Sequence, residues 1–270
     1  MRNWTQGNWV NGTKNPAGQP SIYGANFQAI TFAQQNYGYL DGVGTPSPEL
    51  AAAFDVADSR LGTFLDDLAN ARVQHSTLVL IGSKQGQGPI DPKTLVVTDP
   101  QTVIDGASVP VAYFVGEDGG IVIDFPPVSA NFRVNFLQMW LQDPSQAATA
   151  KANLLANSSL GIAYVLIGDE ITLAGYGSPF LDSRVPDLII GAKVGTLWNE
   201  GFEFVDHGGF LPQDLDVPLI AYNPSLQKKN ITEVVSNRQV ASTLLFAVGL
   251  PVDQLEGYRL GEAPVLPELF

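Results

Sequence analysis

Two short polar turns carry the side chains best suited to chemistry. The first, Ser83-Lys84-Gln85-Gly86-Gln87-Gly88-Pro89-Ile90-Asp91, directly follows the apolar run Thr77-Leu78-Val79-Leu80-Ile81. The second, Val205-Asp206-His207-Gly208-Gly209-Phe210, holds one of the chain's 2 histidines. Open α/β sheets build their sites in turns just past the carboxyl ends of strands, and the first turn stands at such a place. The groups on offer are an ammonium (Lys84), a carboxamide (Gln85), two carboxylates (Asp91, Asp206) and an imidazole (His207). Ser83 and Thr45 have no base within sequence reach, which argues against a nucleophilic role for either. Each group also has a plainer reading. His207 beside two glycines can cap a turn, and Asp41 before Gly42 is a common turn residue. Asp206 and Asp214 read as solvated loop carboxylates, and His75 as a surface residue. Trp4, Trp9, Trp140 and Trp198 read as packing.

The elements that must position these turns are partly legible. Residues 1–40 read as loop with one short helix near Asn26–Gln34. Leu50, Phe54, Ala57, Leu61, Phe64, Leu65 and Leu68 recur at spacings of three and four, which predicts an amphipathic helix over 48–71. Ser47 can cap it, Pro48 suits its first position, and Glu49 complements the positive end of its dipole. A strand over Ser76–Ile81 follows, so helix, short loop and buried strand make half of a βαβ unit. Further strands are predicted at Leu95-Val96-Val97 and Val109–Val115, with a hairpin through Glu117–Gly120 to Ile121–Phe125. A helix is predicted over Asn131–Gln142, and another from Pro144 or Ser145 to about Ala156. Gly161–Ile167, Val185–Ile190 and Val217–Tyr222 read as strands. The last helix runs from Ser236 to Val248, with Val240, Leu244, Leu245 and Val248 on one face and Gly249 as its C-terminal cap.

Composition narrows the classes. The 270 residues are 45% hydrophobic and 15% charged, enough apolar material for one large α/β domain or two smaller ones. A net charge of -13, with no basic stripe, disfavours nucleic acid and anionic membranes as partners. The absence of cysteine removes disulfides, thiolate metal sites and cysteine nucleophiles. No apolar run approaches the ~20 residues that cross a bilayer, and Met1–Gln6 does not read as a signal peptide. Four Asn-x-Ser/Thr sequons occur, at Asn3, Asn11, Asn157 and Asn230. An extracellular location is expected if a longer parent protein supplies a leader.

Several blocks in order carry a family resemblance. Asp41-Gly42-Val43-Gly44-Thr45-Pro46-Ser47-Pro48 precedes the first long helix, and Ser83–Asp91 follows the strand. Asp182-Ser183-Arg184-Val185-Pro186-Asp187-Leu188-Ile189 precedes Asp206–Phe210. Then come Asp216-Val217-Pro218-Leu219-Ile220 and Val240-Ala241-Ser242-Thr243-Leu244-Leu245 with Gly249-Leu250. This order resembles the C-terminal two-thirds of a type I phosphodiesterase/nucleotide pyrophosphatase domain of the alkaline phosphatase superfamily. The likeness is to the microbial branch with a Lys-His-Gly-Gln-Ser-Pro-Ile-Asp-like turn, and it spans about residues 25–270.

The resemblance implies an α/β fold, a mostly parallel sheet flanked by helices. The core would comprise 1–104 and 181–270, with an inserted α+β cap at 105–180. It also implies metal-dependent phosphoester hydrolysis. Two divalent ions, usually zinc, would be held by Asp and His, and a Ser or Thr would attack phosphorus in line. The metal positions fall on Asp41 and Thr45, on Lys84 and Gln85, and on His207. Asp41 and His207 are retained as candidate ligands, whereas Thr45 and Gln85 are degenerate metal positions. Lys84 carries a charge that cannot ligate while protonated, and stands as the candidate catalytic residue. No strand–Asp–nucleophile block is recognised before Asp41, so no nucleophile is assigned. A two-metal site needs roughly six to seven protein ligands, so zinc or another divalent metal is expected to bind weakly or not at all. The expected function is a degenerate or truncated phosphodiesterase-like domain that takes at most a small phosphoester ligand. An active hydrolase with a divergent metal site, and a non-catalytic ligand- or protein-binding module, are the alternatives.

Overall fold

A computed structural model describes residues 2–9, 11–116, 133–199, 203–206 and 208–270. The hairpin expected at 117–125 and the side chain of His207 lie outside the described residues. In chain order the helices are α1 (Arg2–Thr5), α2 (Gln28–Tyr37), α3 (Pro48–Asn70), α4 (Pro100–Gly106), α5 (Ala147–Ala156), α6 (Asp169–Leu173), α7 (Pro212–Leu215), α8 (Gln239–Ala247) and α9 (Glu256–Arg259). The strands are β1 (Val79–Gly82), β2 (Val96–Thr98), β3 (Val111–Gly116), β4 (Arg133–Val134), β5 (Phe136–Leu141), β6 (Ile162–Ile167), β7 (Leu188–Ala192), β8 (Thr196–Asn199) and β9 (Leu219–Tyr222). No helix among the described residues is long and apolar enough to cross a membrane.

Two compact units form. One comprises 29–53 and 85–216, the other 1–28, 54–84 and 217–270. In the first, β3, β5, β7 and β6 make a four-stranded antiparallel sheet in that order. Its core contains Leu137 and Met139 of β5, Leu188 and Ile190 of β7, Val103 and Ile104 of α4, Leu154 of α5 and Trp198 of β8. Trp198 is fully buried, and its indole Nε1–H donates to the Leu160 carbonyl at 2.8 Å, which satisfies the one polar group that this large side chain brings inside. A second sheet has the order β2-β8-β4, with β2 and β8 parallel.

The sheet therefore departs from the mostly parallel arrangement. Among the described pairings β2–β8 is parallel, and the others are antiparallel. The segment 105–180 does not stand apart either, because β7, beyond residue 180, pairs with β5 and β6 from within it.

Residues 136–141, expected within a helix, form β5 instead. The run Phe-Leu-Gln-Met-Trp-Leu pairs with β3 and β7 along its two edges, and both of its faces pack: Leu137, Met139 and Leu141 join the main core, and Phe136 packs with Ile171 and Ile189 on the other side. A strand buried on both faces loses its alternating pattern and cannot be told from a buried helix by period alone.

In the second unit, β1 and β9 form an antiparallel pair. Asn223, just past β9, donates its side-chain amide to the carbonyls of Gln74, His75 and Thr77, which fixes the approach to β1. Trp4 stacks edge-on with Tyr23, and Tyr23 with Phe64 of α3. Thus the N-terminal segment, read as loop with one short helix near Asn26–Gln34, has that helix as α2 and adds the short α1 and an aromatic ladder. α8 ends in a Schellman motif. Gly249, at φ 74°, donates to the Phe246 carbonyl, and Leu250 donates to that of Leu245. Its buried residues are Gln239, Ser242 and Thr243, not an apolar stripe. Ser242 donates to the Gln239 and Pro264 carbonyls, and Thr243 Oγ1 accepts from the Leu266 amide.

Candidate functional site

Within the first unit the sequence motifs meet. The turn after Gln85 lies against the segment that follows the second motif. Gly86 N–H donates to the Asp214 carbonyl at 2.8 Å. A Cβ on Gly86 would collide with the carbonyl oxygen of Gln213, and one on Gly88 with the Gln213 side chain. These two glycines permit close approach of backbone to backbone. The Asp41 turn borders the same place: a Cβ on Gly42 would touch Asp91, and one on Gly44 would touch Pro89, at 3.8 and 3.9 Å. Gly208 takes φ 112°, which a side chain would resist, and a Cβ on Gly209 would sit 2.5 Å from Asp214 Oδ2. The Gly-Gly pair thus serves one left-handed turn and one close approach.

The second motif is held from beneath by Tyr164 of β6. Its hydroxyl accepts the Phe210 N–H at 2.9 Å, and its ring stacks on Phe210. Gly191 of β7 leaves the room that this ring fills. Burial pushes the Tyr164 phenol up to about 12, with the nearby Asp214 carboxylate adding in the same direction.

Asp206 and Asp214 are not solvated, contrary to what their loop setting suggests. They are 4% and 3% exposed, and Glu203 is 3% exposed. Asp214 Oδ2 accepts the Leu211 N–H at 3.1 Å. Asp206 and Asp214 line a small cleft with Asn135, Lys193, Thr196 and Gly88. No sequence signal marks these carboxylates as buried, because the groups that enclose them come from distant parts of the chain.

Asp41 is engaged by its own turn. Its Oδ1 accepts the backbone N–H groups of Val43, Gly44 and Thr45, each at 3.0 Å. Hydrogen bonding from the Thr45 side chain and amide, then from Val43 and Gly44, holds the Asp41 carboxyl below the usual aspartate range. Gln85 and Asp41 belong to the same unit, whereas Lys84 is exposed at the end of the β1 segment in the other. Lys84 and Gln85 are therefore neighbours in sequence that fall on either side of a unit boundary.

These donors do not fit a two-metal centre. The described set offers one carboxylate with an oxygen already taking three N–H bonds, one hydroxyl and one carboxamide. Zinc centres are built from imidazole, thiolate and free carboxylate. Among the described residues no group of three or more His, Asp or Glu side chains is placed to hold a metal ion.

No protein-family model and no curated protein sequence matches the chain. Solved structures do. Human ectonucleotide pyrophosphatase/phosphodiesterase 5 matches with a TM-score of 0.53 at 14% identity, over 79% of this chain and 51% of that one. The murine protein, an inactive variant in complex with AMP, matches with a TM-score of 0.53 at 16% identity over the same shares. The chain spans about half the length of these relatives. At such identity the likeness shows the fold alone: over 79% of its length the chain has a fold similar to that of these two proteins.

Proposed function

We propose that the chain is a phosphodiesterase-like domain in which metal-dependent phosphoester hydrolysis is impaired. The observation that carries this reading is the self-satisfied turn at Asp41. The one carboxylate retained at the first metal position points an oxygen into its own backbone amides, and Thr45, where the resemblance calls for imidazole, helps to hold it there. Gln85 in place of a second imidazole supports the same conclusion, since a neutral carboxamide is a far weaker zinc ligand. With too few ligands, neither the attacking nor the leaving oxygen of a phosphoester would be neutralised.

The cleft agrees with this. Two buried carboxylates, Asp206 and Asp214, line it together with one cationic side chain, Lys193, and no imidazole is among the described residues that line it. The solved murine relative holds AMP, and a small phosphoester of that kind is the ligand class to offer this chain.

The experiment is metal analysis of the purified chain beside hydrolysis of p-nitrophenyl phosphate and bis-p-nitrophenyl phosphate, with zinc supplied. Substoichiometric zinc and turnover indistinguishable from buffer are expected. Stoichiometric zinc, with turnover that disappears in His207→Ala, would defeat the proposal in favour of an active hydrolase with a divergent centre. The double variant Gln85→His with Thr45→His is expected to raise zinc affinity if the two positions are remnants of one site.

A further inference from the structure

Two of the four sequons adopt the same local geometry, a turn in which the Asn side-chain carbonyl is closed by the residue two positions on. Asn11 Oδ1 accepts the Thr13 N–H at 3.0 Å and the Thr13 hydroxyl at 2.7 Å. Asn157 Oδ1 accepts the Ser159 N–H at 3.2 Å and the Ser159 hydroxyl at 2.6 Å. In both, the side-chain carbonyl is drawn back onto the residue two positions on, while the Nδ2 amide makes no hydrogen bond among the described residues. All six residues of the two tripeptides are exposed. Asn11 sits at a tight turn closed by Gly12 N–H to the Trp9 carbonyl and Trp9 N–H to the Thr13 carbonyl, with Gly12 at φ 87°. Asn157 links the end of α5 to the short 3-10 turn Ser158–Leu160.

The other two sequons differ. Asn3 lies inside α1, and Thr5 is buried with its hydroxyl donated to the Arg2 carbonyl at 2.8 Å. That hydroxyl is engaged by a backbone carbonyl and, on a residue 2% exposed, is shielded from an enzyme. Asn230 and Thr232 are exposed but form no such turn among the described residues.

We infer that Asn11 and Asn157 are N-glycosylation sites and that Asn3 is not. The donor class is an oligosaccharide carried on a polyprenyl pyrophosphate. The Asn Nδ2 forms a bond to the anomeric carbon, and the bond from that carbon to the pyrophosphate oxygen breaks. Polyprenyl pyrophosphate leaves, and one Nδ2 proton is lost to the transferase base. The two hydrogen bonds onto Oδ1 polarise the amide toward that loss and present Nδ2 outward. The +2 hydroxyl requirement of the sequon is thereby met in the native turn. A glycan at each place is accommodated by a loop tip that buries nothing.

The test expresses the full chain behind a secretion leader in a eukaryotic host and reads both the secreted and the membrane-retained pools. Two mobility steps sensitive to an amidase that removes N-glycans are expected. One step should vanish in Asn11→Gln and Thr13→Ala, the other in Asn157→Gln and Ser159→Ala, and Ser159→Thr should keep it. Peptide mapping should find Asp at positions 11 and 157 after the amidase, and Asn at position 3. Unmodified Asn11 and Asn157 in both pools, or occupancy of Asn3 equal to theirs, would overturn the assignment.

Discussion

Gly86→Ala tests directly whether the two motif turns meet. The Gly86 φ lies outside the left-handed region, so the substitution adds no backbone strain of its own. Its effect comes from space. The new Cβ would fall on the carbonyl oxygen of Gln213, with the Gln213 carbonyl carbon at 2.9 Å and the Asp214 carbonyl carbon at 3.2 Å. All three are backbone atoms, so no rotamer change relieves the overlap, and the turns must separate. Overpacking of this kind costs about 1–3 kcal/mol, and the Gly86 N–H to Asp214 carbonyl bond, now 2.8 Å, adds about 1 kcal/mol if it is lost. A total of about 3 kcal/mol corresponds to a fall in Tm of roughly 6–12 °C for a chain of this size. The assay is urea and thermal unfolding followed by near-UV circular dichroism, with Gly62→Ala as the control. Gly62 lies in α3, and a Cβ there would meet nothing within 4 Å, so alanine should stabilise by up to about 1 kcal/mol through helix propensity alone. If Gly86→Ala were as stable as Gly62→Ala, the two turns would not touch and the candidate site would dissolve.

Two further perturbations probe the same region. Tyr164→Phe leaves the Phe210 N–H without its acceptor and should destabilise by about 1–3 kcal/mol in denaturant titration. Because the phenol is raised from 10.0 to about 12 in the folded protein, the unfolded chain ionises first. Stability should therefore fall as pH rises across that interval, and this part of the alkaline loss should be absent in Tyr164→Phe. At Asp41 the shift has the opposite sense. Its folded carboxyl is depressed by hydrogen bonds from Thr45, Val43 and Gly44, so its contribution is present above the ordinary aspartate range and is lost as pH falls through the folded value. Carboxyl-carbon NMR titration should place Asp41 below 3.8 in the native protein, the value it ordinarily takes, and Thr45→Val should bring it back toward that value. A native Asp41 titrating at the ordinary value would remove the case for a self-satisfied turn.

What can be read from the sequence follows from how local each cause is. α3 is legible because its period, Ser47 and Pro48 all lie within one segment, and the structure starts it at Pro48 with Ser47 Oγ accepting the Leu50 N–H at 3.2 Å. Gly249 is legible for the same reason. Phe54, counted on the apolar face of α3, is 41% exposed; period identifies a stripe but not which part of it finds a partner. β5 reads as a helix because burial on both faces erases alternation. Strand direction comes from resemblance and not from residues, and direction is decided by tertiary pairing. The glycines of both motif turns are visible as glycines. At Gly86, Gly88 and Gly209 their reason is a close approach to Gln213 or Asp214, which for the first turn depends on a segment more than a hundred residues away.

The same separation explains why residue identities alone give an incomplete account of the candidate site. Asp206 and Asp214 read as loop carboxylates because they stand in short turns rich in glycine, proline and polar residues, yet both are buried. Asp41 reads as a ligand position, yet its oxygen is turned to local amides. The carboxylate that the resemblance marks as a ligand thus serves its turn, and the buried carboxylates stand at positions that the resemblance does not mark. An ionised carboxylate accepts hydrogen bonds, and at Asp41 the backbone amides within reach are the donors. The turn at Asp41 is therefore complete in itself: one carboxylate oxygen satisfies three backbone N–H groups, and its geometry needs no cation to hold it.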